Sequence, residues 1–92
     1  MRFEFDPAKD RVNVAKHGVS LSAADEFFES LTIDRVDDRA DYGEIRIIGY
    51  GVIGSRVHCC VYTDHGEARR IISLRKASDE ETEAYFEGIR SG

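Results

Sequence analysis

The strongest chemical character in this chain lies between Arg69 and Ala77, Arg-Arg-Ile-Ile-Ser-Leu-Arg-Lys-Ala, where four cations fall within eight residues that include no acid. Guanidinium groups match the two-oxygen geometry of phosphate, so such a segment suits an anionic ligand. Ile71, Ile72 and Leu74 between the cations give it the apolar content of a β-strand. Alternate side chains of a regular strand point to opposite faces. That spacing predicts a wet face carrying Arg69, Ile71, Ser73 and Arg75, and a more core-directed face carrying Arg70, Ile72, Leu74 and Lys76. The plainer reading is a solvated strand whose arginines pair with acids of the next segment, Glu80 or Glu81 in the case of Arg75.

Other residues could move protons. An imidazole changes charge near neutral pH, which makes His17 a candidate acid or base, although a histidine before a helix-ending glycine also suits the last helical carbonyls. Lys16 beside it can hold phosphate or remain solvated. Tyr62 shares a predicted strand face with Arg56, His58 and Cys60; it could stack a base or donate a proton, or simply fill the core. His58 reads as a satisfied sheet histidine and His65 as a turn residue. The three histidines are scattered, and Cys59 and Cys60 are strand neighbours whose side chains diverge. Neither a metal cluster nor a disulfide framework is therefore expected, and no cofactor is implied.

The elements that must position these groups can be read in order. Phe3 and Phe5 alternate with polar residues in a short strand over Arg2–Phe5. Asp6-Pro7 starts a helix, with Val12 and Ala8 or Ala15 as its apolar stripe, and Gly18 ends it. Ser20 or Ser22 caps a second helix carrying Ala23, Ala24, Phe27 and Phe28, with Asp25 completing a weak capping box on Ser22. From Leu31 the pattern turns to β, with Ile33 and Val36 before an acidic turn. Strands follow over Ile45–Ile53, Val57–Thr63 and Arg69–Lys76, joined by Gly54-Ser55 and Asp64-His65-Gly66. Ser78 caps a last helix with Glu81 as the capping-box partner, and Thr82, Tyr85, Phe86 and Ile89 form its stripe. The expected architecture is α+β: a short N-terminal strand and two helices, then an antiparallel sheet of three to four strands with helices over one face, then a C-terminal helix.

With 92 residues and 41% hydrophobic content, residues 1–92 are expected to form a single domain with a modest core. No apolar run approaches the roughly 20 residues of a membrane span, and two acids stand in the first six residues, so a soluble cytoplasmic protein is expected. The net charge of −5 argues at first against nucleic acid. Distribution changes that: ten of the 18 acids fall within Asp34–Glu44 and Asp79–Glu87. Lys9, Arg11, Lys16, Arg46, Arg69, Arg70, Arg75 and Lys76 are left as members of a candidate basic patch.

Three stretches carry a resemblance: Phe5-Asp6-Pro7-Ala8-Lys9, Lys16-His17-Gly18-Val19-Ser20, and Arg70-Ile71-Ile72-Ser73-Leu74-Arg75-Lys76-Ala77 followed by Glu81 and Tyr85. Together they resemble the BrnT family of type II toxins, with Phe5 standing where that family commonly has Trp. The resemblance implies a RelE-like fold, cleavage of RNA and inhibition of translation in a bacterial cytoplasm. It also implies neutralisation by a BrnA-type antitoxin with a ribbon-helix-helix domain, operator DNA being reached only through that partner and a homodimer being possible within the complex. Without a metal, the ribose 2′-OH can attack phosphorus if one group removes its proton, another stabilises the phosphate charge and a third protonates the leaving oxygen. Arg75, His17, Arg70 and Tyr62 are the candidate catalytic residues, with Lys16, Arg69, Lys76 and Lys9 as RNA contacts. The alternative is a non-catalytic binding module or a co-repressor acting through its antitoxin.

Overall fold

In the computed structural model, which describes residues 1–92, the elements are β1 (Arg2–Glu4), α1 (Pro7–His17), a 3-10 turn (Leu21–Ala23), α2 (Ala24–Phe27), β2 (Ile33–Val36), β3 (Ile47–Ile53), β4 (Arg56–His65), β5 (Ala68–Lys76) and α3 (Asp79–Ser91). Helix ends follow local chemistry. Asp6 Oδ1 accepts from the Ala8 N–H at 2.8 Å, Pro7 opens α1, and Gly18 closes it at φ 72° with its N–H on the Val14 carbonyl. Ser78 and Glu81 form the reciprocal capping box of α3, each side chain accepting the other's backbone N–H. At the second helix Ser20, rather than Ser22, is the cap, and Asp10 of α1 takes the Leu21 N–H at 2.7 Å. No capping box forms between Ser22 and Asp25, and α2 is a single turn.

The sheet has five strands in the order β1-β5-β4-β3-β2. β2 to β5 pair antiparallel, β3–β4 and β4–β5 as their two-residue turns require and β2–β3 across residues 37–46, but β1 lies parallel to β5, with Phe3 beside Arg69. The sheet is therefore mixed and wider than the three to four antiparallel strands expected. A parallel neighbour needs a long crossover, which leaves no local signal in a three-residue strand.

A second correction concerns the layers. Leu21, Ala24 and Phe27 pack on one face of the sheet against Cys60, Tyr62, Ile71 and Leu74. On the other face Tyr85 of α3 packs with Val57 and Ala77, joined by Tyr50, Val52 and Ile89. Helices thus cover both faces instead of one. Burying each of the large side chains in these clusters contributes about 1.5–3 kcal/mol, and the two cysteines, both free and buried, belong to opposite faces as their adjacency predicts.

The expected stripe of α1 does not form, because Val12 is 64% exposed and the buried residue of this helix is Asn13. Its amide donates to the Val19 and Leu74 carbonyls at 2.7 and 2.8 Å and accepts from the Leu74 N–H at 3.2 Å. β1 ends at Glu4, leaving the outer edge of β5 open beyond Arg70. Asn13 closes that edge as a strand backbone would, satisfying groups that are costly to bury unpaired.

Candidate functional site

A bulge in β5 decides which cations share a surface. Ser73 pairs with Val61 and Ile71 with Tyr62, so Ile72 is one residue too many for the ladder. An extra residue inverts the alternation beyond it. Arg70, Ser73 and Arg75 lie opposite Thr63, Val61 and Cys59 and share one face; Arg69, Ile71, Leu74 and Lys76 share the other. Arg69 and Arg70 have exchanged places relative to the regular alternation expected.

Beside this strand, α1 presents Lys9, Val12, Lys16 and His17 along one side. Two adjoining cavities of about 450 and 360 Å³ run between α1 and β5. The first is bordered by Glu4, Phe5, Lys9 and Arg70, the second by Val12, Lys16, His17 and Ser73, and both touch Lys9 and Ile72. The structure therefore gathers Lys9, Lys16, His17 and Arg70 into one groove with an apolar floor. Acids are present too: Asp6 lines the first cavity, and Glu4 approaches Arg70 at 3.9 Å, a loose contact for an exposed pair.

Other candidates lie elsewhere. Arg69 is held between aromatic rings, 4.6 Å from the centroid of Phe28 and 4.2 Å from that of Tyr62, while its guanidinium grips Asp64 at 2.7 and 3.0 Å. Tyr62 is 2% exposed and donates to Asp34 at 2.9 Å; burial and the neighbouring carboxylate push its phenol well above the usual range. Both are built into the core face, away from the groove. Lys76 is exposed on that same face, opposite His58, whose Nδ1 lies 2.8 Å from the Arg56 carbonyl. Arg46 stacks on Tyr42 at 4.2 Å and takes no part in the groove.

Arg75 lies on the groove side of β5 but is engaged. Its guanidinium donates to both oxygens of Glu81 at 2.8 and 2.9 Å, the second of which also accepts from the Tyr50 hydroxyl at 3.1 Å. Of the two acids left open by sequence, Glu81 is the partner. Arg75 chiefly, with the Ser78 N–H and Tyr50, holds the Glu81 carboxyl at about 2 against its ordinary 4.5. A depressed carboxylate stabilises the fold above its unfolded pKa, and that contribution disappears as pH falls through the folded value. The wild type is therefore expected to exceed Glu81→Gln in stability above pH 4.5, by about 1 kcal/mol after solvent screening, with the two converging near pH 2 in acid-denaturation curves. A gap that persists unchanged down to pH 2 would contradict this origin.

Sequence reasoning missed Asn13, Ile72 and Tyr50. An asparagine interrupting the centre of an amphipathic pattern was the one available signal for Asn13; a bulge and a cross-strand tyrosine contact leave none.

Fold and groove together define a small α+β domain with a cleft between α1 and β5 in which Lys9, Lys16, His17 and Arg70 stand beside Glu4 and Asp6. The family model described as "Ribonuclease toxin, BrnT, of type II toxin-antitoxin system" matches residues 5–81, and the chain belongs to that family. A comparison with curated proteins gave no match. Membership makes this a ribonuclease toxin of a type II toxin-antitoxin system, with an antitoxin partner. No helix is long and apolar enough to cross a membrane, and no three His, Cys, Asp or Glu residues are grouped to hold a metal ion.

Proposed function

We propose that the chain is a metal-independent endoribonuclease that cleaves RNA in the groove between α1 and β5, inhibits translation in the cytoplasm, and is silenced by a BrnA-like ribbon-helix-helix antitoxin. The observation that carries this reading is that Lys9, Lys16 and His17 of α1 and Arg70 of β5 line two adjoining cavities between that helix and that strand. In the proposed step His17 takes the proton of the 2′-OH, the 2′ oxygen bonds to phosphorus, and the bond from phosphorus to the 5′ oxygen breaks. The imidazolium or solvent then protonates the leaving oxygen, giving a 2′,3′-cyclic phosphate and a 5′-hydroxyl. Arg70, Lys9 and Lys16 stabilise the added phosphate charge. Arg75 joins them only by exchanging Glu81 for a phosphate.

Cleavage of RNA by the purified protein is expected to persist in EDTA and to yield cyclic phosphate ends. Activity lost in chelator and restored by a divalent ion would overturn the mechanism. A stable, specific complex with RNA or antitoxin and no turnover under any condition would favour the binding-module alternative.

A further inference from the structure

A third cavity, of about 270 Å³, lies between β2, β3 and α3, lined chiefly by Ile33, Arg35, Tyr50, Glu81, Ala84 and Tyr85. Four of these six make apolar walls, and the volume falls just under the range of about 300–1,000 Å³ usual for small-molecule sites. It suits a single ring system better than a whole nucleotide. Its polar character is one-sided. One Glu81 oxygen already accepts from Arg75 and the Ser78 N–H, and the other from Arg75 and Tyr50. A carboxylate offers about four lone-pair sites, so Glu81 has none left for a ligand. Asp34 also borders the cavity, and its Oδ2 already accepts from Tyr62 and Thr32.

Arg35 is different. It is exposed and makes no ion pair, and although its side chain reaches the Tyr50 hydroxyl, a guanidinium has five N–H donors, so donors remain at the mouth of an apolar slot. A planar, uncharged ring with two adjacent acceptors complements such a site. Guanine presents O6 and N7 in that arrangement, whereas adenine places an amino donor beside N7. Phosphate is disfavoured there by the apolar walls and the Glu81 charge. Tyr50, Cys59 and Arg75 stand in register on neighbouring strands, which puts the Tyr50 backbone about 10 Å across the sheet from that of Arg75, on the side that carries Arg70 and Ser73.

We infer that this slot binds a guanine base of the RNA substrate, on the same side of the sheet as Arg70 and Ser73 of the groove, and sets where the chain is cut. This rests on the ribonuclease reading, and the test separates the two. NMR titration of the protein uses guanosine 5′-monophosphate, adenosine 5′-monophosphate and ribose 5-phosphate as probes. The guanine nucleotide is expected to perturb Ile33, Tyr50 and Ala84 and to bind about ten-fold more tightly than the adenine one, while ribose 5-phosphate perturbs only the groove. Ala84→Leu fills the slot on an exposed helical position that tolerates leucine. It should abolish the guanine-specific perturbation and randomise the cleavage sites while cleavage itself continues, and Arg35→Gln should relax guanine preference. Equal affinity for the two nucleotides, or unaltered cleavage sites in both variants, would overturn the assignment. So would perturbation of the slot by antitoxin and by no nucleotide. Guanine-selective binding by a protein that cuts no RNA would overturn the ribonuclease reading and leave the slot standing.

Discussion

His17→Gln and Arg70→Ala are each expected to slow RNA cleavage by about 10²–10³-fold without altering the thermal transition. General acid or base catalysis contributes about 10²–10⁴-fold, and a positioned donor to a developing phosphate charge about 10²–10³-fold. Both side chains border the groove instead of the core: Arg70 is exposed with only a 3.9 Å contact to Glu4, and His17 occupies the last turn of α1. Glutamine keeps the polarity of His17 and removes proton transfer. Single-turnover cleavage of a defined RNA, measured beside circular dichroism of each variant, checks the expectation. Folded variants as active as the wild type would move the chemistry out of the groove. Lys16→Ala should behave differently, weakening RNA binding in low salt more than in high salt, because a solvated cation acts chiefly through phosphate charge.

The largest effect on stability is expected at Asn13. Asn13→Ala strands the N–H and carbonyl of Leu74 together with the Val19 carbonyl, three backbone groups that the amide satisfies at 3.2, 2.8 and 2.7 Å. An unmade hydrogen bond at a buried group costs about 1–3 kcal/mol, and partial access of water to Val19 reduces the sum, so a loss of about 2–4 kcal/mol is expected. For a domain of this size that lowers the transition by roughly 10–25 °C. Asn13→Asp should recover little, since a carboxylate can accept from Leu74 but cannot donate to either carbonyl. Urea titration of both variants measures it. A loss below about 1 kcal/mol would mean that the edge of β5 is not held by this side chain. Groove geometry depends on the same contact, because Asn13 joins the helix that carries Lys9, Lys16 and His17 to the strand that carries Arg70.

Arg69 illustrates how a residue can be conspicuous in sequence and engaged elsewhere in the fold. Read as a regular strand, it belongs beside Arg75. In the structure it is stacked against Phe28 and Tyr62 and bound to Asp64, so its cation is already matched inside the protein. Arg70, assigned by alternation to the core-directed side, is the one that borders the groove. Arg75 is intermediate, on the groove side and paired to a carboxylate that only a competing anion would release.

Sequence alone determined the features whose causes are local. Asp6-Pro7, Gly18 and the Ser78/Glu81 pair set helix ends because capping involves residues two to four apart, and the short turns at Gly54 and Gly66 required antiparallel neighbours. Family membership was legible in the motifs from Phe5 to Ser20 and from Arg70 to Tyr85, and the matched region of residues 5–81 spans both motif regions except Tyr85. Tertiary structure alone decided which charges meet. β1 finds β5 across a long crossover, Asn13 replaces a missing strand, and the surplus Ile72 reverses the faces of the residues before it. The physical reason is the two-residue period of a β-strand: one additional residue moves every preceding side chain to the opposite face, and composition carries no record of that slip.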